Sequence, residues 1–370
     1  MRQLFNLLTA LACVAVSASV QSAISTGDPE EPSVDSDGTV HVPAYSLPES
    51  SLLGADARAV LRSKRVHEME QSNAPATCPK EEGADATHMP DIRKCEADAF
   101  YKTAEYKHLR QLYPVVLTQK QIGGVNTEIF EPANGIGARN AARVLINVHG
   151  GGFQGGARTA SHIESVPIAA IGKIKVVSID YRQAPEYAFP SASEDVANVY
   201  RELLKTYKPA NIGIYGCSAG GLLTAEAIAW FQKEKLPLPG AVGMFCEGAA
   251  YWTEGDSGLI SAANGWWSSG DAIELNPYFK NTSSKNPLAL PVRSEQVMAK
   301  FPPSLLIAGT RDVALSSVVH THSVLVAHGV DAELHIWEGL GHDFFSNPDL
   351  PQSREVHTVT TKFFDTHLGT

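Results

Sequence analysis

The residues with the clearest chemical potential are a serine, an acid and a histidine, each placed just after a predicted strand. Ser218 lies in "GCSAG" (216–220), which matches the pattern G-x-S-x-G. A predicted strand, Ile212–Tyr215, precedes the motif and a helical segment follows it. The tight turn between two such elements leaves the serine exposed. An exposed serine attacks a carbonyl carbon when a neighbouring base takes its proton.

The base and the acid that would orient it follow the next strands along the chain. Asp312 comes after the predicted strand in "SLLIAGTRD", and His342 comes after the one in "AELHIWEGLGH". Serine, acid and histidine therefore occur in the chain order expected for this arrangement. Asp343 is adjacent to the histidine and should point away from it, so Asp312 is the expected partner of His342.

A glycine-rich loop, "NVHGGGFQGG" (147–156), ends another predicted strand. Three consecutive glycines let backbone N–H groups turn toward one point, as the oxyanion of a tetrahedral intermediate requires. No lysine follows at the spacing of a phosphate-binding loop. The HGGG pattern at 149–152 instead indicates an esterase.

The elements that must position these residues follow an α/β pattern from Val115 onward. Two strand-like runs, Val115–Gln121 and Val125–Phe130, flank a Gly-Gly turn and predict a hairpin. Later apolar strands end at Gly150, Tyr181, Gly216, Gly248, Thr310 and Gly339. Predicted helices fill Ser193–Lys208, Ala219–Lys235, Ser316–His328 and Ser353–His367. Strands alternating with helices predict a mostly parallel sheet covered on both faces, with its chemistry at the carboxyl ends of the strands.

The first third of the chain is organised differently. Residues 1–23 have the layout of a secretory signal peptide, the alternative being a membrane anchor for which the apolar stretch is slightly short. Residues 24–45 are predicted to be a flexible linker. Residues 46–112 carry helical fragments, Leu52–His67 and Ala97–Leu112, and residues 113–370 form the predicted catalytic domain. The expected location is secreted or periplasmic.

Four cysteines lie outside the signal segment, and four cysteines allow three pairings. Cys78 with Cys95 is the first choice, because this pair closes a short loop. A second bond, Cys217–Cys246, is a hypothesis that requires two neighbouring strands with Cα atoms within about 7 Å.

Composition excludes some partners. The chain has 370 residues, 44% of them hydrophobic, and a net charge of −10. This acidic balance argues against nucleic acid as a partner, because phosphate binding needs clustered basic residues. No Cys/His cluster of the metal-binding type is visible, and no membrane association is expected once the signal is removed. The oligomeric state is not predicted.

The motifs together resemble the hormone-sensitive-lipase-like family of α/β-hydrolases, which includes bacterial carboxylesterases and lactone hydrolases. The resemblance covers about residues 115–370 and rests on "HGGGF" (149–153), "DYRQAPEYAFP" (180–190), "GCSAGG" (216–221), Asp312 and "GH" (341–342). It implies an α/β-hydrolase fold with an N-terminal helical cap over the pocket. It also implies a small-molecule ester as substrate and no metal or organic cofactor.

The resemblance implies a role for each site residue. Ser218 would be the nucleophile, His342 the general base and Asp312 its partner. The oxyanion hole would be formed by the backbone N–H groups of Gly151, Gly152 and Ala219. Two positions depart from the family pattern: Cys217 stands where aspartate is usual, and Val313-Ala314 stand where Pro-Leu is usual.

The substrate pocket is the least determined part of the site. Its candidate walls are Phe153, Trp252, Trp266 and Trp267, although the two adjacent tryptophans could equally pack the cap against the body. The predicted activity is hydrolysis of short- to medium-chain carboxylic esters through an acyl-enzyme. A lactonase, an amidase or another acyl hydrolase would use the same triad, and a ligand-binding protein without activity is a remote alternative.

Overall fold

The computed structural model describes residues 32–71, 78–79, 86–260 and 272–369, with the backbone alone at 65–71. The chain divides into two compact units, Met1–Ser46 and Leu47–Thr370. The first unit contains an antiparallel pair of short strands, β1 (Ser33–Val34) and β2 (Val40–His41). This pair lies within the segment that the sequence predicts to be a flexible linker.

The second unit is built on an eight-stranded sheet of order β10-β9-β8-β7-β5-β6-β4-β3. Its strands are β3 (Val115–Ile122), β4 (Val125–Pro132), β5 (Val144–Asn147), β6 (Lys175–Ile179), β7 (Ile212–Cys217), β8 (Ala241–Phe245), β9 (Ser304–Arg311) and β10 (Ala332–Gly341). The predicted hairpin is confirmed, because β3 and β4 pair antiparallel in full register. β4 also runs antiparallel to β6, and all other neighbours are parallel. The predicted α/β architecture with a mostly parallel sheet is confirmed.

Helices pack against the sheet because its central strands are buried. Every residue of β5, β7 and β8 is buried, which removes both faces of the sheet from water. The helices are α1 (Ala55–Gln71), α2 (Met89–Phe100), α3 (Ala104–Leu112), α4 (Ala160–Gly172), α5 (Ser191–Leu203), α6 (Ala219–Lys233), α7 (Asp256–Ile260), α8 (Glu295–Met298), α9 (Leu315–Ala327) and α10 (Pro351–His367).

The structure corrects one helix prediction and contains a helix that the sequence did not indicate. The helix expected over Ala97–Leu112 is two helices, α2 and α3, separated at Tyr101–Thr103. Thr103 ends the continuity, because its side-chain oxygen accepts a hydrogen bond from Tyr106 N at 3.2 Å as an N-cap. α4 was not predicted at all. Its segment carries Pro167 inside the helix, and eight of its 13 residues are buried while none is exposed, so it shows no amphipathic stripe.

A disulfide joins Cys78 to Cys95 of α2, with Cα atoms 5.8 Å apart, which confirms the predicted pairing. In the part of the chain described by the structure, no helix combines the length and the apolar character needed to span a bilayer.

Candidate active site

Ser218 lies at the sharp turn between β7 and α6. Its backbone adopts φ 57° and ψ −129°, a positive-φ conformation that non-glycine residues rarely occupy. Gly216 and Gly220 flank the turn, and a Cβ on either of them would collide with the carbonyl oxygen of Val148. The two glycines therefore allow the turn to press against the neighbouring loop, which leaves the serine side chain as the projecting group.

His342 stands between Ser218 and Asp312. Its Nε2 lies 2.9 Å from Ser218 Oγ, and its Nδ1 lies 2.7 Å from Asp312 Oδ1. Asp312 follows β9 and His342 follows β10, so the two strand ends bring the predicted acid and base together at the end of β7. Asp312 Oδ1 also accepts a hydrogen bond from Ala314 N at 2.9 Å, which fixes the carboxylate toward the imidazole.

The electrostatics of His342 favour its protonated form. Burial lowers the pKa of His342, but the charge and hydrogen bond of Asp312 raise it more, and the net pKa is about 9. The raised pKa reflects stabilisation of the imidazolium by Asp312, and that imidazolium forms when the neutral Nε2 takes a proton from the neighbouring hydroxyl.

The predicted oxyanion donors surround the same serine. Gly151, Gly152 and Ala219 line one cavity together with Ser218 and His342. Within the described residues, the three backbone N–H groups donate no hydrogen bond to protein. Free amides beside a projecting serine are what an oxyanion hole provides.

Glu164 of α4 connects the glycine loop to the serine turn. Its Oε1 accepts from Gly150 N at 2.8 Å, and its Oε2 accepts from Asn147 Nδ2 at 2.7 Å and Cys217 N at 3.3 Å. Burial raises the pKa of Glu164 to about 8 against these three donors. One carboxyl therefore fixes both loops that carry the site, a role that no sequence motif indicated.

His149, the first residue of the HGGG pattern, supports the loop from below. Its ring stacks on Tyr181 at 4.4 Å, and the Tyr181 hydroxyl donates to the His149 carbonyl oxygen at 2.8 Å. Burial lowers the pKa of His149 to about 4, so the ring is neutral and Nδ1–H donates to Gly150 O at 2.7 Å. This histidine is a structural support of the loop.

The cavity at Ser218 has a volume of about 480 Å³. It is lined by Gly151, Gly152, Phe153, Gln154, Ser218, Ala219, Glu247, Tyr251, Trp252, Ala272, Leu275, Asn276, Pro277, Val313 and His342. Phe153 and Trp252 therefore lie where the sequence placed them. Trp266 and Trp267 lie outside the described residues. Glu247, Leu275 and Asn276 were missed, since the long loop after β8 carries no periodic pattern.

Cys217 and Cys246 are both buried free thiols, so the hypothesised second disulfide is not present. Their strands β7 and β8 are neighbours, as the hypothesis required, but Cys217 stands opposite Phe245 in the register. The Cys217 thiol donates to Asp343 Oδ1 at 3.6 Å and is hydrogen-bonded to the Cys246 thiol, and neither cysteine lines the cavity. The donor atoms of Cys246, Asp312 and His342 lie within 4.8 Å of one another.

Arg93 links helix α2 to the glycine loop. Its guanidinium donates to Gln154 O and Ala184 O, both at 2.6 Å, and forms a two-pronged ion pair with Glu186 at 2.6 and 2.9 Å. Gln154 belongs to the glycine loop, and the other two residues belong to "DYRQAPEYAFP". Arg93 therefore joins α2 to both the glycine loop and the segment 180–190.

Comparison with known proteins assigns the family. A family model described as "alpha/beta hydrolase fold" matches residues 145–346, more than half of the chain.

The chain belongs to the α/β-hydrolase family.

The curated relatives of this α/β-hydrolase include two enzymes named for ester hydrolysis. An acetyl-hydrolase of Streptomyces hygroscopicus is 27% identical over 246 residues, which cover 63% of this chain and 78% of that protein. A versiconal hemiacetal acetate esterase of Dothistroma septosporum is 23% identical over 65% of this chain and 77% of its own length.

Solved structures agree in fold. The crystal structure of an esterase, E25, superposes with a TM-score of 0.73 at 25% identity, covering 89% of this chain and 99% of that one. An esterase from the bacterial hormone-sensitive lipase family superposes with a TM-score of 0.67 at 23% identity, covering 86% and 99%. The predicted resemblance to hormone-sensitive-lipase-like α/β-hydrolases is confirmed, and these relatives support the predicted carboxylic ester hydrolase.

Proposed function

We propose that this carboxylic ester hydrolase cleaves short- to medium-chain esters through an acyl-enzyme formed on Ser218. The observation that carries the proposal is the chain of contacts from Ser218 Oγ to His342 Nε2 at 2.9 Å and from His342 Nδ1 to Asp312 Oδ1 at 2.7 Å. This arrangement supplies a nucleophile, its base and the group that orients the base.

In the acylation half of the reaction, Ser218 Oγ attacks the ester carbonyl carbon while His342 Nε2 takes the hydroxyl proton. The tetrahedral oxyanion is held by the free N–H groups of Gly151, Gly152 and Ala219. The carbon–oxygen bond to the alcohol then breaks, and His342 returns its proton to the departing alcohol. Asp312 stabilises the imidazolium that exists between the two proton transfers.

In the second half, water attacks the acyl carbon and gives its proton to His342. The bond to Ser218 breaks, the serine regains the proton, and the carboxylic acid leaves. A cavity of about 480 Å³ lies at the small end of the range for ligand pockets, which supports a preference for short and medium acyl chains. The same groups would open a lactone or cleave an activated amide, so the experiment below includes a lactone and an anilide as substrates.

The test compares S218A with the intact protein on a series of p-nitrophenyl esters, a lactone and an anilide. We expect kcat on the ester series to fall by at least about 10⁴-fold in S218A, since the nucleophile is lost. S323A, which removes an exposed hydroxyl on α9 that donates to Val319 O, is the matched control and should retain its rate. Hydrolysis by S218A at the rate of the intact protein would refute the proposed mechanism.

A further inference from the structure

Glu247 places a carboxyl group inside the cavity of an ester hydrolase whose proposed mechanism does not use it. β8 ends at Phe245, and the chain turns at Cys246, whose φ is 57°. Glu247 follows directly, and its side chain lines the cavity together with Ser218 and His342. Only 3% of Glu247 is exposed, so this acid has been taken out of water at the reaction site.

One carboxyl oxygen of Glu247 accepts a hydrogen bond from the protein, and the other does not. Oε1 accepts a hydrogen bond from Trp252 N at 3.2 Å. Across the described residues, Oε2 has no hydrogen-bond partner. The walls beside it are largely apolar and include Phe153, Trp252 and Leu275. Oε2 is not one of the fully buried atoms that lack a partner, so it remains open to a hydrogen bond with a ligand group in the cavity.

The charge state of Glu247 limits which ligand group fits. Burial raises the pKa of Glu247 well above its ordinary value, and the positive charge of protonated His342 opposes this shift. A protonated carboxyl donates a hydrogen bond, whereas a carboxylate accepts one. A hydroxyl group both donates and accepts, so it complements Oε2 in either state.

We infer that Glu247 is a specificity-determining residue that binds a hydroxyl group carried by the substrate close to its scissile ester bond. The inference rests on the proposed function, because it assumes that the ester is bound at Ser218. The hydroxyl belongs either to the acyl part, as in a hydroxyacyl ester, or to the alcohol part, as in a glycol ester. Sites built to pair a substrate hydroxyl discriminate strongly against the analogue that lacks it.

The alternative is that Glu247 acts only by holding the loop at Trp252 through Oε1. A residue that only supports the loop would change the hydrolysis of hydroxylated and plain esters by the same factor. The ratio of the two rates therefore separates recognition from support.

The experiment measures kcat/KM by pH-stat titration for two matched pairs of esters. Ethyl 3-hydroxybutanoate against ethyl butanoate reports on the acyl side, and 2-hydroxyethyl butanoate against propyl butanoate reports on the alcohol side. The variants are E247M, which removes both oxygens, and E247Q, which keeps an acceptor for Trp252 N and an amide that donates to a hydroxyl. Circular dichroism and thermal unfolding verify that each variant is folded.

We expect the intact enzyme to prefer the hydroxylated ester by at least about tenfold in one pair, in line with one buried hydrogen bond. That preference should fall at least about tenfold in E247M and stay within about threefold in E247Q. A preference of less than threefold in both pairs for the intact enzyme overturns the inference, whether or not E247M folds. An unchanged preference in folded E247M overturns it as well.

The S218A variant separates this result from the proposed function. Loss of hydrolysis of all four esters in S218A, together with no preference in the intact enzyme, refutes the role of Glu247 alone. Retained hydrolysis in S218A refutes the proposed mechanism instead.

Discussion

Glu164 shows that the position of the reactive groups depends on a residue that does not react. Two of its three donors are backbone amides, Gly150 N at the glycine loop and Cys217 N at the serine turn. Since both amides end on one carboxyl, the spacing between the oxyanion donors and Ser218 depends on that carboxyl. Gly150 and Cys217 are more than sixty residues apart along the chain, so the Glu164 carboxyl connects the two loops far more directly than the backbone does.

Replacement of Glu164 by alanine should therefore impair catalysis as well as folding. E164A leaves the amides of Gly150, Cys217 and Asn147 without partners in a buried place, which costs about 1–3 kcal/mol for each group. We expect the kcat for p-nitrophenyl butyrate to fall about 10²-fold with little change in KM, because the donors act mainly in the transition state.

Glu226 of α6 is the matched control, since it is also a fully buried carboxyl but is hydrogen-bonded to Ser193 and is not part of the cavity. E226A should lower the midpoint of thermal unfolding while kcat stays within about threefold. Equal losses of kcat in E164A and E226A would contradict a positioning role for Glu164.

The contrast between Ser218 and Glu164 shows what the sequence can predict about single residues. Ser218, Asp312 and His342 each follow a recognisable strand, and parallel strands deliver their ends to one edge, so the sequence brings the three together. Glu164 lies inside a helix that carries Pro167 and has no motif around it. The three groups that donate hydrogen bonds to Glu164 can be identified only from the packing of α4 against the glycine loop and the serine turn.

At the scale of elements, Arg93 ties α2 to two loops of the catalytic body. Arg93 has 17% of its side chain exposed, and it joins a carboxylate, Glu186, to two backbone carbonyls of different loops. A planar guanidinium supplies these divergent donors from one rigid group, which a lysine ammonium does not. The disulfide at Cys95 holds the same helix two residues further on.

Substitution R93M should weaken the glycine loop without removing a reactive group. Hydrogen bonds to charged groups contribute about 1.5–3 kcal/mol, so we expect kcat/KM to fall about tenfold or more, with R93K recovering little of the loss. Steady-state kinetics on p-nitrophenyl butyrate provide the measurement.

Arg62 offers the comparison for Arg93, because it also forms a two-pronged pair, with Glu49, but 68% of its side chain is exposed. R62M should change kcat/KM less than twofold, as expected for a surface ion pair. If R93M behaves like R62M, the contact of Arg93 with Gln154 does not support the active-site loop.

The sheet was predictable at this scale because each buried strand is a short apolar run bounded by glycine or polar residues. Helices α2, α3 and α4 were harder to predict. The break between α2 and α3 depends on an N-cap at Thr103, and α4 shows no amphipathic pattern because none of its residues is exposed. The loop after β8 has no period at all, so its cavity residues follow from packing rather than from local pattern.

At the scale of the whole molecule, buried titratable side chains link stability to pH. His357 of α10 is 3% exposed, packs edge-on against Tyr113 and Phe345, and has an Nδ1 without a hydrogen-bond partner in the described structure. Burial lowers the pKa of His357 to about 3, from an ordinary value of 6.5. The unfolded chain therefore binds a proton below pH 6.5 that the folded chain does not bind until about pH 3.

It follows that His357 destabilises the fold as the pH falls. Between pH 7 and pH 5 the penalty reaches about 2 kcal/mol for this one group. H357F, which cannot titrate, should gain about this much stability relative to the intact protein over that interval, measured by urea unfolding at both values. The difference between the two proteins isolates His357 from the buried carboxyls, whose raised pKa values act in the opposite direction.

His108 is the control, because its side chain is 41% exposed. H108Q should show the pH dependence of the intact protein within about 0.5 kcal/mol. The same response in H357F and H108Q would show that His357 does not titrate as its burial requires.

The crowding of Gly216 and Gly220 against the Val148 carbonyl also bears on how this enzyme can evolve. Both positions border the same oxygen atom, so neither accepts even one added methyl group without displacing the oxyanion loop from the serine. Leu275 and Val313, by contrast, line the cavity with apolar side chains. Laboratory selection for new substrates should therefore accumulate substitutions at Leu275 and Val313 and retain Gly216 and Gly220. The catalytic geometry would then stay the same while the preferred ester changes.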